Sequence, residues 1–265
     1  MKTKSYYTML FASSFALIFL TQTARCADKK TILEQANRTY FNLKANGLAE
    51  FTCQVSPDWD AAFKNVKMDA VGRDKVLPMA KQTTFQVTVG PSGAASISHQ
   101  FRQAPPSQDV ADRLRIMAEG MEQMLSGFFQ TWSQLMINPP LAGTDNEYQM
   151  EEKSDGYRFT ANEANIEVAV EMNRDLVINS IYAKTSEFEG TVHPRFAQHQ
   201  GGLVVDSYEG TYKTKSGNSQ QLSVKIQYQE IESLPLPRIV TMTISLPQGL
   251  LEEPIALSDC VVKKK

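Results

Sequence analysis

Hydrophobic residues in the N-terminal part of the chain follow first a helical and then a strand-like period. In "TILEQANRTYFNLKANG", apolar residues recur every three or four positions from Ile32 to Leu43, which predicts a helix that Gly47 ends. The next stretch, "FTCQV", is rich in residues that favour a sheet and predicts a strand. "SPDWDAAFKNVKM" then predicts a second, short helix, with Ser56 as its N-cap and Pro57 at its first position.

The middle of the chain carries the longest helical pattern. Ser107 or Asp109 can cap its start, and the pair Pro139 and Pro140 can end it. One apolar stripe runs between these limits, formed by Val110, Leu114, Met117, Met121, Met124, Phe128, Trp132 and Leu135. This spacing predicts an amphipathic helix that covers a sheet, and Gly120 and Gly127 can divide it into two segments.

The rest of the chain alternates apolar and polar residues. "TTFQVTV" and "AASISHQF" flank a Gly/Pro turn and predict a hairpin, and "YQMEEKSDGYRFTA" predicts another with Asp155 and Gly156 at its turn. After Pro140 the pattern predicts only strands, of eight to twelve residues each. A meander of this length tends to curl into a barrel or sandwich. The sequence therefore predicts an α+β protein, mainly β.

The first 26 residues have the pattern of a cleaved signal peptide. Lys2 and Lys4 precede an apolar run, Thr8–Leu20, which is shorter than the ~20 residues that a spanning helix needs. Small residues suit cleavage after Cys26, which leaves residues 27–265 as a single mature domain. We therefore predict a periplasmic protein. The full chain has a net charge of −2, and such a mildly acidic chain is not expected to bind nucleic acid.

Two cysteines, Cys53 and Cys260, remain after the predicted cleavage. In an exported protein, two such cysteines most simply form a disulfide. Both lie in strand-like segments near the two ends of the mature chain, so the bond is expected to join the first strand to the last. A metal pair or a reactive thiol is the alternative, but no histidine is near either cysteine in the sequence.

The sequence has no pattern typical of a catalytic site. It lacks the G-x-S-x-G turn of many esterases, the P-loop and the dinucleotide-binding glycine motif. His193 and His199 lie in "TVHPRFAQHQGG" and could hold a metal together with Glu189 or Asp206, but their spacing matches no zinc motif. We therefore predict no catalytic residues, metal or cofactor, and keep a histidine-dependent hydrolase as a minor hypothesis.

The order of elements resembles a known family. The run Leu48–Val55, "LAEFTCQV", after an N-terminal helix, and the later pattern "KIQYQEI…LPLPRIVTMTI" are similar to the first strand and the final strands of the periplasmic lipoprotein carriers and outer-membrane lipoprotein receptors of the Lol type. This resemblance implies a curved antiparallel sheet that forms an unclosed barrel, covered by the N-terminal and mid-chain helices, with acyl chains held on its apolar concave face.

The resemblance also suggests ligand-binding residues on the mid-chain helix. Flexible thioethers can repack around an alkyl chain, so we expect the ligand-facing residues to be Met117, Met121, Met124, Phe128 and Trp132. The expected ligand is a lipid or lipoprotein, and a membrane-associated protein is the expected partner. Two alternatives stay open: the same stripe can be an ordinary helix packed on a core, and the protein can be an envelope interaction protein with a filled interior.

Overall fold

A computed structural model gives the structure of most of the chain. It describes residues 28–64, 68–138, 141, 148–163, 165–215, 217, 219–246 and 249–265; the predicted signal peptide lies outside these ranges. The helices are α1 (Lys29–Thr39), α2 (Trp59–Phe63), α3 (Leu77–Ala80), which a π-helical turn (Gly72–Val76) precedes, and α4 (Gln108–Met136). The strands are β1 (Leu48–Pro57), β2 (Thr84–Val89), β3 (Ala95–Gln100), β4 (Gln149–Glu152), β5 (Gly156–Glu163), β6 (Ile166–Asn173), β7 (Ile178–Lys184), β8 (Phe188–His199), β9 (Gly202–Thr214), β10 (Ser219–Ile231), β11 (Leu234–Leu246) and β12 (Gly249–Lys264).

All twelve described strands belong to one sheet, in the order β3-β2-β1-β12-β11-β10-β9-β8-β7-β6-β5-β4. Every neighbouring pair is antiparallel, and only the β1–β12 pairing departs from the order of a meander. The two edge strands, β3 and β4, do not pair with each other, so the sheet is unclosed. The predicted α+β class with an unclosed antiparallel barrel is confirmed, and all regular elements described after Pro140 are strands.

Helix α4 lies inside the curve of this sheet. A Cβ added to Gly93 in the β2–β3 turn would lie only 2.7 Å from the Ser133 Cβ, so Ser133 is close to this turn, while the adjacent Trp132 donates a hydrogen bond to Tyr228 of β10. In a flat sheet β2 and β10 would be about 19 Å apart, because each strand step is ~4.8 Å. A helix is only ~10 Å wide, so successive residues of α4 can reach both strands only because the sheet wraps around the helix.

The sequence predicted the start and end of α4 correctly. The Ser107 side chain accepts a hydrogen bond from the Val110 amide, and the last helical residue, Met136, comes shortly before the two prolines. Gly120 and Gly127 do not divide the helix, which continues through both for 29 residues. The apolar stripe that packs on the sheet is long enough to hold the helix together across them.

The two predicted N-terminal helix boundaries are wrong. Helix α1 ends at Thr39 rather than near Gly47, because the next two residues leave the helix for the sheet: Tyr40 forms a bridge with Leu203, and the Phe41 amide donates to the Leu203 carbonyl at 2.9 Å. The Tyr40 hydroxyl then bonds the backbone of the β6–β7 turn. Pairing with β9, which is distant in the sequence, thus determines the residue at which α1 ends.

Helix α2 also begins later than predicted. Ser56 and Pro57 are the last residues of β1, where they pair with Ala256 and Ile255 of β12. The N-cap is instead Asp58, whose carboxylate accepts a hydrogen bond from the Ala61 amide at 3.1 Å. The long β12 strand supplies pairing partners that extend β1 beyond the point where the local sequence favours a helix.

The predicted disulfide is confirmed. Cys53 of β1 is bonded to Cys260 of β12, 207 residues later in the chain. The bond therefore joins the first strand to the last at the one place where the sheet order departs from a meander. Cys53 is completely buried, and Cys260 packs against the same core.

Candidate functional site

An open groove lies between α4 and the inner face of strands β9–β11. Its volume is about 440 Å³, within the range of ligand pockets in proteins. The apolar side chains on its walls are Met124 and Phe128 from α4 and Leu222, Met242 and Ile244 from the sheet. We call it the main groove. A second hollow of about 160 Å³, between α4 and strands β7–β9, shares Gln130, Thr131 and Tyr212 with it, so the two hollows are neighbours on the same side of the helix.

The wall that α4 presents to the main groove is open at two glycines. Gly120 and Gly127 both line the groove, and a Cβ atom added to either would have no heavy atom within 4 Å. Packing therefore does not require glycine at these positions. Glycine in a helix interior is about 1 kcal/mol less favourable than alanine. The space left by the two missing methyl groups is part of the groove.

The floor between the two hollows is the ring of Tyr212. A Cβ added to Gly210 would lie 2.8 Å from this ring, and one added to Gly190 would lie 2.9 Å from it. Gly190 is the register partner of Tyr212 across the β8–β9 ladder. The two glycines thus let the ring lie against the sheet backbone, and burial raises the pKa of the Tyr212 hydroxyl above its ordinary value.

None of the described residues that line the main groove or the second hollow carries a formal charge. Their polar members are the hydroxyls of Thr131 and Tyr212 and five amides, those of Gln123, Gln130, Gln134, Gln220 and Gln221. In the whole chain, by contrast, 21% of the residues are charged. Charged side chains begin just outside Phe188, where a separate hollow is lined by Lys184, Glu187, Glu189, Lys213 and Lys215.

The predicted ligand-facing residues divide into two groups. Met124 and Phe128 line the main groove. Met121 and Trp132 are almost fully buried in the core, and Met117 packs against the same core. The apolar stripe of α4 is therefore continuous in the sequence, but one side of it packs against the protein interior and the other side borders the main groove.

Below α4 the interior is filled. Trp132 is completely buried and packs edge to face on Phe51 and Phe129, with ring centroids 5.9 and 6.0 Å away. Its indole nitrogen donates a hydrogen bond to the Tyr228 hydroxyl at 3.1 Å, and that hydroxyl donates to the Val205 carbonyl. These contacts fix the C-terminal half of α4 against β9 and β10, which makes the inner wall of the groove rigid.

Two buried polar side chains next to the groove lack hydrogen-bond partners among the described residues. The Tyr208 hydroxyl is buried beside Thr131 and Tyr212, which line both hollows, but makes no hydrogen bond of ordinary geometry with either. Glu253 is the register partner of Met242, a groove residue, and one of its carboxyl oxygens is unpaired. Burial, with Asp58 nearby, raises the pKa of Glu253 to about 8.

The two histidines considered for a metal site have different partners. His193 lies against the Asn179 carbonyl at 3.2 Å, and His199 lies 2.7 Å from the Glu230 carboxylate. Both are on β8, six residues and so about 20 Å apart, which is too far to share one metal ion. No group of three or more possible metal ligands occurs within the described ranges.

The residues that sequence reasoning missed come from distant strands. Tyr212, Leu222, Met242 and Ile244 were not predicted as groove residues, because their common position depends on the registers of β9, β10 and β11. The one usable signal was the "YEGTY" run of β9, in which a glycine sits two residues before a tyrosine on the same face of the strand.

Comparisons with known proteins give one structural similarity. No protein-family model matches the chain, and no curated protein matches it. A solved structure that is similar to this chain is a domain from Vibrio parahaemolyticus named, by inference, an outer membrane lipoprotein-sorting protein domain; the match covers 89% of this chain and 94% of that one, with 11% identity and a TM-score of 0.32. This is the class of protein that the sequence resembles. Within the described residues, no helix is long and apolar enough to cross a membrane.

Proposed function

We propose that this protein is an exported, non-enzymatic component of the cell envelope that binds the acyl part of a lipid or lipoprotein in the main groove. The observation that carries the proposal is the groove itself, about 440 Å³ in volume, open on one side and lined by thioether, aromatic and aliphatic side chains. Burying an acyl chain there removes apolar surface from water on both partners, and each buried methylene contributes about 0.8 kcal/mol.

The shape of the groove suits a ligand that is held and then released. Its inner wall is fixed by the Trp132 and Tyr228 contacts, while Met124 on the open side is a flexible side chain that can adapt to different chains. An open groove leaves part of the ligand accessible, so a membrane-associated partner could take it over. The predicted signal peptide supports a periplasmic site for this exchange.

The main test is whether the mature protein carries lipid. The chain from residue 27 would be purified from cells, extracted, and examined by mass spectrometry, and the delipidated protein titrated with a neutral fluorescent apolar probe. We expect copurified acylated molecules and saturable probe binding. Finding neither lipid nor saturable binding would end the proposal.

A pair of variants on α4 tests where the ligand lies. Met124→Glu places a charge in the main groove and should weaken probe binding at least about tenfold, because burying a carboxylate against an acyl chain is unfavourable. Ile116→Glu is the matched control, since Ile116 is 62% exposed on the same helix and outside the groove. Equal effects of the two substitutions would place the ligand elsewhere.

A second candidate is an envelope interaction protein whose interior is filled by its own side chains. The completely buried side chains on the inner side of α4, Phe129 and Trp132, favour it. It predicts that the purified protein binds no acyl probe and that crosslinking in cells recovers a specific protein partner. Probe binding that competes with a copurified lipid would decide against it.

A further inference from the structure

We propose that Gly120 and Gly127 are the specificity-determining residues of the main groove, and that its ligand is an uncharged, extended acyl chain lying along α4 directly against these two positions. This rests on the proposed function, which says only that the groove binds an apolar ligand. The inference names the class of chain, the path it takes and the residues that select it.

The two glycines share one face of α4. They are seven residues apart, which is two helical turns, so they are aligned and about 10.5 Å apart along the axis. Both line the groove, and neither has a heavy atom within 4 Å of the position where a Cβ would be. A chain lying along this face would contact helix backbone at two points and the side chains of Met124 and Phe128 between and beside them.

The selection of glycine here has no explanation in packing or backbone geometry. Both residues lie in the interior of a regular helix, where alanine is more favourable and where space for a methyl group exists. A groove that must admit a chain of a certain width explains why the methyl groups are absent. Small residues let another chain approach a helix closely.

The polar groups around the groove favour an uncharged ligand. Its lining contains amides and hydroxyls but no described charged residue. Beside Thr131 and Tyr212, two residues that line the groove, the hydroxyl of Tyr208 is buried and lacks a hydrogen-bond acceptor of ordinary geometry among the described residues. The carbonyl of an acyl ester or amide is such an acceptor, whereas a free carboxylate would be buried without a counter-charge.

The experiment is a side-chain series at the two glycines, measured by stability and by binding. The variants are Gly120→Ala, Gly120→Leu, Gly127→Ala and Gly127→Leu, titrated with long-chain fatty-acid methyl esters and with the matching free fatty acids. We expect each alanine to raise the thermal midpoint by about 2–4 °C, since it favours the helix. Binding should weaken several-fold for alanine and at least about tenfold for leucine.

Two controls separate this inference from simpler effects. Ser126→Ala improves the same helix at an exposed position outside the groove, so it should raise stability without changing affinity. Tyr208→Phe should weaken binding of the methyl ester but not of a hydrocarbon probe without a carbonyl, and should not destabilise the protein, because the hydroxyl it removes lacks a partner.

Each outcome has a definite meaning. Wild-type protein that binds none of the probes overturns both this inference and the proposed function. Wild-type binding that the glycine variants leave unchanged overturns the inference alone. Equal losses for alanine and leucine would mean that glycine serves helix flexibility rather than groove width, and tighter binding of the free acid than of its ester would overturn the uncharged class.

Discussion

The indole nitrogen of Trp132, a completely buried residue of α4, donates a hydrogen bond to the Tyr228 hydroxyl of β10 at 3.1 Å. The same hydroxyl donates to the Val205 carbonyl of β9, so one oxygen connects the helix to two strands. These residues are 96 positions apart in the sequence. The contact shows how the filled side of α4 supports the open side, because the position of the helix sets the width of the groove.

Removing this oxygen should destabilise the protein. Tyr228→Phe leaves the buried indole N–H without its acceptor and removes one donor from the Val205 carbonyl, which we expect to lower the free energy of unfolding by about 1–3 kcal/mol. Denaturant unfolding followed by tryptophan fluorescence measures this. Tyr182→Phe removes a hydroxyl from a partly exposed tyrosine of β7 and should change stability by less than about 0.5 kcal/mol. A Tyr228→Phe protein as stable as wild type would contradict the assigned role.

The disulfide should contribute strongly to stability because it closes a long loop. Cys53 and Cys260 are 207 residues apart, and the loop-closure model gives an upper limit of about 5 kcal/mol for a loop of this length. The double variant Cys53→Ala/Cys260→Ala should therefore unfold at a clearly lower denaturant concentration. Wild-type protein measured with and without a reducing agent is the control: the reductant should shift wild type towards the variant and leave the variant unchanged.

Much of the fold could be predicted because it depends on local periodicity. The spacing from Val110 to Leu135 determined that α4 is amphipathic, and the two cysteines that follow the predicted signal peptide left one simple pairing. The predicted boundaries at Gly47 and Ser56 are wrong because the chain near them pairs with strands that are distant in the sequence. These pairings override the local preference for a helix. Local sequence gives the type of an element more reliably than the residue at which it ends.

The groove was only partly predictable, for a different reason. Periodicity shows that Met121 and Met124 lie near the same face of α4, but they differ by about 60° around the axis, and this angle separates the core from the groove. The floor depends on Tyr212 meeting Gly190 across the β8–β9 ladder. No pattern within either strand specifies that register.

Substitution by alanine should destabilise the protein at Gly210, beside the groove floor, and stabilise it at Gly127, in the groove wall. Gly210→Ala places a Cβ 2.8 Å from the ring of Tyr212, so the ring must move away from the sheet. We expect a loss of about 1–3 kcal/mol of stability, as for other overpacked sites, and weaker probe binding. Gly127→Ala, where a Cβ meets nothing within 4 Å, should stabilise the protein. Thermal unfolding of both variants measures the contrast, and a stabilised Gly210→Ala protein would show that the ring is not held there.

Glu253 should make stability depend on pH in the neutral range. Burial and the nearby Asp58 raise the pKa of its carboxyl from 4.5 to about 8 in the folded protein. Between these pH values the folded chain keeps a proton that the unfolded chain has released. The free energy of unfolding therefore falls as pH rises, with a contribution of up to about 1.4 kcal/mol per pH unit, and the dependence from this group ends above about pH 8.

The substitution Glu253→Gln keeps the shape of the neutral side chain and cannot ionise. We expect it to be about as stable as wild type near pH 5 and several kcal/mol more stable near pH 8, as measured by denaturant unfolding across this range. Asp58→Asn is the companion variant: removing the nearby negative charge lowers the pKa of Glu253, so the decline in stability should end at a lower pH. A stability difference between wild type and Glu253→Gln that stays constant from pH 5 to pH 8 would mean that Glu253 is already ionised throughout this range, and that the inner face of β12 holds a buried charge next to Met242 of the groove.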